Sequence, residues 1–196
     1  MIAAQSSTTL QQFSADAILV VLIIINAILG WRTGTLRRVV SFAGLYAGVL
    51  AAYYMGNYFA SLVRKGDIFA NAWSFVAVTL VVVVAFEVIG AFFKDRLAQL
   101  ATFTFDRIAG TVIGAAVGFF QASVLFMVAL AVGAAPSSPA NTIPFARDVP
   151  ANAIRNAPLS GQAIRAQPAL TSIFAPMFST SNLTTHLEDS TQLTAP

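Results

Sequence analysis

Asp106-Arg107-Ile108-Ala109-Gly110-Thr111-Val112-Ile113-Gly114-Ala115-Ala116-Val117-Gly118-Phe119-Phe120-Gln121-Ala122 is the stretch that decides the fold. Its small residues recur at strict four-residue steps, Gly110, Gly114, Gly118 and Ala122, inside an apolar run that reaches Ala135. Four-residue spacing puts them on one helical face. A stripe of glycine in an apolar helix lets another backbone come close, which is how helices associate in lipid. The charged pair Asp106-Arg107 stands where that helix begins. The stretch therefore reads as one member of a membrane-embedded helix bundle.

Composition agrees. Hydrophobic residues make up 57% of the 196 and charged residues 10%, and mean hydropathy is +0.76. Those values lie well outside the soluble globular range. All eight prolines fall from Pro136 onward. The chain thus divides into a polar leader (1–14), a membrane part (15–135) and a short Pro-, Ser- and Thr-rich tail (136–196). Four spans are expected, at about 15–29, 39–59, 72–93 and 108–135. A bilayer core of about 30 Å needs roughly 20 helical residues, so the first span only just suffices. The run Val81-Val82-Val83-Val84 would favour a strand in water. Within a long apolar segment, a helix that satisfies its own backbone is the better reading. The leader carries no Lys or Arg, so the first apolar run is expected to be a retained helix rather than a cleavable signal.

The fold class expected is an all-α membrane protein, four transmembrane helices packed through small-residue stripes. A second stripe, Gly44, Gly48, Ala52 and Gly56, lies in the second span. The plainer reading packs spans two and four together through their stripes. The sharper one makes a stripe the docking face for a partner or a second copy. Loop charges orient the bundle: Arg32, Arg37, Arg38, Lys94, Arg96 and Arg107 flank one side, and only Arg64 and Lys65 the loop opposite. The excess of basic residues marks the cytoplasmic side, so both termini are expected outside.

Net charge +3 and a pI near 9.7 do not imply nucleic acid. The basic residues sit singly or in pairs at the edges of apolar runs, whereas a phosphate-binding surface needs a clustered patch. There is no cysteine, so thiol chemistry is excluded. The single histidine, His186, lies in the tail, which leaves neither a catalytic triad nor a histidine metal cluster. No catalytic residue, cofactor or metal is expected. Among polar residues within the spans, Asn26 is read as an interhelical donor and Asp16 as a charge at the outer edge. Glu87 shares a face with Gly90 and Lys94 and is the one intramembrane carboxylate, a functional candidate by default. The plainer and preferred reading is a carboxylate paired with a nearby base such as Lys94 or Arg38, or reached by interfacial water. Tail segments around 151–157, 158–166 and 169–174 could rest on the membrane surface or on the bundle, and the polar end from Ser179 is expected to be disordered.

Two groups of residues carry a family resemblance. Asp16 precedes the first span, and Gly30-Trp31-Arg32-Thr33-Gly34 leads into the second, followed by Arg37, Ser41 and Gly44. The later Asp106-Arg107-x-x-Gly110-x-x-x-Gly114-x-x-x-Gly118 completes the pattern. In this order they resemble the colicin V production protein family, over about Asp16 to Ala135, with Pro158-Leu159 echoing a later family segment. Val117 stands where family members often carry a basic residue. The resemblance implies a bacterial inner-membrane protein linked to colicin V production or export and to envelope maintenance. Some relatives add a protease domain, but this tail lacks the residues for one. The leading expectation is a non-enzymatic scaffold or accessory factor for toxin secretion or envelope homeostasis. Its partners would be membrane lipids and a membrane protein or a second copy, with Asp106 pairing with Arg32 or Arg37. The alternative is a small transporter or channel subunit working through Glu87.

Overall fold

The computed structural model describes residues 2–63, 68–92, 104–134 and 148–165. It is built of α1 (Ile2–Val63), α2 (Ile68–Phe92), α3 (Thr104–Ala134), α4 (Asp148–Asn156) and α5 (Ser160–Arg165). No strand occurs among the described residues. Three helices are long and apolar enough to cross a membrane: Phe13–Gly56, Phe69–Phe92 and Thr104–Gly133. The valine run of α2 is helical throughout.

The first two expected spans are thus one helix rather than two joined by a loop. That helix is interrupted at one residue, Gly34, with φ 76° and ψ 176°. Only glycine adopts such a backbone freely. Gly34 is the one positive-φ residue among those described, and it splits α1 into a first leg (residues 2–33) and a second leg (35–63).

The contacts give the direction of each leg. On the first leg, Leu22, Asn26 and Gly30 lie against Gly118, Gly114 and Gly110 of α3, so the two run antiparallel. On the second leg, Phe42 meets Phe120 edge-on with ring centroids 5.3 Å apart. Further along, Leu45, Val49 and Ala52 share a core with Val124, Met127, Val128 and Ala131. The second leg therefore runs with α3, and the chain reverses at Gly34. α2 lies antiparallel to the second leg, Gly44 on Phe86 and Gly48 on Thr79, and barely meets α3.

The two stripes do not pack on each other. The α3 stripe takes the first leg, and the Gly44–Gly56 stripe takes α2. The reversal explains this, since it inserts the first leg in the place the second would have filled. A Cβ at Gly110 would fall 2.6 Å from the Gly30 carbonyl oxygen, and one at Gly118 2.8 Å from the Ile23 Cα. Backbone cannot retreat as a side chain can, so these contacts admit hydrogen alone. The tail folds back: Ile154, Ala157 and Ala163 bury against Ala15, Leu19, Ala122 and Phe126. The expected ordering of 169–174 and the end from Ser179 lie outside the described residues.

These contacts grade the glycines. At Gly114, an added methyl would lie 2.9 Å from the Asn26 carbonyl carbon, whereas at Gly56 the nearest atom is 3.7 Å away. Gly114→Ala is expected to lower thermal stability in detergent by the equivalent of about 1–3 kcal/mol, the cost of overpacking. Gly56→Ala should stay within about 0.5 kcal/mol of the parent, as an unstrained change does.

Candidate functional site

Around the reversal, the bundle encloses an unusual set of polar side chains. Arg38, one helical turn into the second leg, is 2% exposed, and Asn26 and Ser41 are also buried. An unpaired charge at such a position is costly in lipid, and the neighbours answer it. Arg38 Nη1 donates to Asn26 Oδ1 and its Nε to Thr33 Oγ1, both at 3.4 Å. Asn26 in turn donates through Nδ2 to the Leu22 carbonyl and to Gln121 Oε1, both at 2.9 Å. This chain of bonds ties both legs of α1 to α3.

A second set joins the second leg to α2. Ser41 donates to Glu87 Oε1. The other carboxylate oxygen lies 3.7 Å from Arg37 Nη2. Glu87 was expected beside Lys94 or Arg38. Its close ion pair is with Arg37, because Arg37 and Ser41 lie one turn apart on the face that meets α2. Lys94 lies outside the described residues. Two guanidiniums facing one carboxylate leave this layer with a formal charge of one positive unit.

Asp106 caps the reversal. Its Oδ1 accepts the Thr35 N–H at 3.1 Å, and Thr35 Oγ1 donates to the Asp106 carbonyl at 3.0 Å. Thr35 is the first residue after Gly34, so its N–H belongs to the free N-terminus of the second leg, where an anion is favoured. The expected pairing of Asp106 with Arg32 or Arg37 is thus replaced by a helix cap. Arg32 and Arg107 are exposed at the same end of the bundle.

Asp16 acts similarly at the opposite end. Its Oδ1 accepts from the Ser160 N–H and hydroxyl, both at 2.8 Å, and from the Leu159 N–H at 3.2 Å. The Pro158-Leu159 segment is therefore a docked turn, held by the residue that opens the first span. Of the residues singled out from sequence, Gly30, Gly34, Asp106 and Gly110 come together at the reversal. Gly114 and Gly118 continue along the first leg, and Gly44 and Gly48 serve α2. Gln121 and Ser160 were not singled out, and Arg38 was read only as a loop charge and a candidate partner for Glu87. Arg38 had a signal, since Arg38, Ser41, Leu45, Gly48 and Ala52 step along one helical face, which is the buried face of the second leg.

A family model for the colicin V production protein matches residues 15–181, a range that takes in the reversal, both stripes and the docked tail. Comparison with curated proteins and with solved structures gives no match.

The cap can be tested directly. Asp106→Ala removes the acceptor from the Thr35 N–H and is expected to cost about 1 kcal/mol, as lost N-caps do. Asp106→Asn keeps an acceptor oxygen and should cost less than half as much. Thermal unfolding of the purified protein in detergent measures both.

Proposed function

The chain belongs to the colicin V production protein family, and from that premise we propose that it is a four-crossing inner-membrane protein. In this reading it supports toxin production, or upkeep of the envelope, as a non-enzymatic scaffold. The observation that carries the reading is the reversal at Gly34. A straight helix over Phe13–Gly56, 44 residues, would run about 66 Å, twice the thickness of a bilayer core. Divided at Gly34, each leg runs about 30 Å, enough for one crossing.

Exposed aromatic residues support the same count. Phe13, Tyr54, Tyr58 and Trp73 are exposed towards one end, and Trp31, Phe92 and Phe105 towards the other. Aromatic belts mark the two faces of a membrane. Arg32, Arg37, Arg38 and Arg107 share the second end, which is cytoplasmic by the excess of positive charge. The docked tail then lies on the periplasmic side, with Asp16.

The scaffold reading rests on how the interior is filled. The first leg and α3 touch backbone to backbone, leaving no passage between them. A transporter working through Glu87 is less well supported, because Ser41 and Arg37 already hold that carboxylate. A rigid core with exposed helix faces suits recruitment of a membrane partner or a second copy.

The absence of cysteine makes topology easy to read. In intact cells, Asn152→Cys should react with a membrane-impermeant maleimide, and Arg32→Cys only after the membrane is opened. The reverse labelling overturns the orientation. For the scaffold reading, Glu87→Gln should keep more than half of the parent's support of toxin export at equal protein level. Loss to the level of cells lacking the protein, with normal abundance, favours the transporter.

A further inference from the structure

The docked tail is held differently from the rest of the bundle. α4 and α5 are nine and six residues long, short enough to be marginal as helices on their own. The side chains they bury are small. Among the described tail residues, Ala151, Ala153, Ala157, Ser160 and Ala163 are buried, and Ile154 is the one large side chain with them. Packing attraction grows with the number of atoms in contact, so a row of alanines holds weakly. Beneath it lie Ala15, Leu19, Ala122 and Phe126, at the end of the bundle opposite Gly34. The first leg and α3, by contrast, meet backbone to backbone at three successive turns.

The polar hold centres on one side chain. Asp16 Oδ1 accepts from the Ser160 N–H and hydroxyl, and the Leu159 N–H lies 3.2 and 3.3 Å from its two oxygens. Hydrogen bonds to a charged acceptor are about twice as strong as neutral ones. Here they gather on a single carboxylate. The tail's other bonds are internal. Ala157 N–H donates to the Ala153 carbonyl, Gly161 N–H to that of Ala157 and Ala163 N–H to that of Leu159, each at 3.0 Å. The Ser160 hydroxyl also lies 3.5 Å from the Ile154 carbonyl. The two helices are thus tied to each other as one piece, and that piece is tied to the bundle by Asp16 and a thin apolar contact. Elements with few buried apolar contacts open first, and they do so as cooperative units.

We propose that α4 and α5 form a releasable strap, latched by Asp16, which opens as one unit from a bundle that stays folded. Open, it bares the apolar seam of the first leg and α3 at Ala15, Leu19, Ala122 and Phe126. The proposal rests on the fold and not on the scaffold reading. If that reading holds, the strap decides when this face of the scaffold is accessible.

Cysteine reactivity in the purified full chain tests it, since the chain has no cysteine of its own. Ala157→Cys, beneath the strap, should react with a maleimide at least tenfold more slowly than Asn152→Cys on the strap's exposed side. Adding Asp16→Ala should speed Ala157→Cys at least tenfold. Ser160→Ala, which removes the hydroxyl and keeps the N–H, should speed it by less. Ala52→Cys, buried in the core of the second leg, should stay protected in every background. An Ala157→Cys rate that Asp16→Ala leaves unchanged overturns the latch. Ala52→Cys becoming reactive together with Ala157→Cys overturns separate opening. Equal rates at Ala157→Cys and Asn152→Cys in the parent overturn a closed strap.

Discussion

The first leg of α1 lies on α3 with backbone touching backbone, and the rest of the bundle depends on that contact. A Cβ at Gly110 would meet both the Gly30 carbonyl and the Gly34 backbone, 2.6 and 2.8 Å away. One glycine therefore holds the last turn of the first leg and the break itself. In lipid there is no hydrophobic force between apolar helices, so close approach and paired polar groups must supply the association. The stripe does the first. The break, with its φ of 76°, turns the chain so that the second leg can run beside α3 and present its own stripe to α2.

The same geometry decides where polar groups can lie. Asn26, Arg38, Ser41, Glu87 and Gln121 come from both legs, α2 and α3, yet they lie near the reversal in two neighbouring bonded sets. Each would be expensive alone in hydrocarbon. Linked, they bind the two legs to α3 through Asn26 and bind α2 to the second leg through Glu87. Glycine contacts have no directional preference along the helix axis, whereas hydrogen bonds do. The polar layer thus sets the register that the stripes leave free.

The stripes were legible in the sequence because helical periodicity shows which residues share a face. Which face meets which is not a periodic property. Gly110, Gly114 and Gly118 match Gly44 and Gly48 as well as they match Gly30, and the choice follows from the reversal. Gly34 lies in a run, Gly30 to Arg38, that looks like a loop because it holds two glycines and three arginines. It is helical on both sides of a single residue, since Arg38 turns inward to Asn26 instead of outward to water. The expectation of a cytoplasmic side rests on the basic count of that run, and the count hid a buried cation, Arg38. For Glu87, position alone marked it as a candidate, and only the structure supplied Ser41 and Arg37 as its partners.

The two aspartates at opposite ends of the bundle solve one problem twice. The break at Gly34 creates a helix N-terminus inside the packed region, with N–H groups that no preceding turn can satisfy. The docked tail creates another at Leu159-Ser160. Water would normally serve both, but each lies against an apolar bundle. Asp106 reaches the first from the start of α3, and Asp16 reaches the second from the start of the first span. In each case the carboxylate and the N–H groups come from segments distant in sequence, so the bond forms only when the helices have packed. A lysine or arginine partner would have held the carboxylate but left the N–H groups unpaired. The capping arrangement gives the N–H groups their acceptors through Oδ1 of each carboxylate, and Asp106 does so beside Arg107 in sequence without pairing with it.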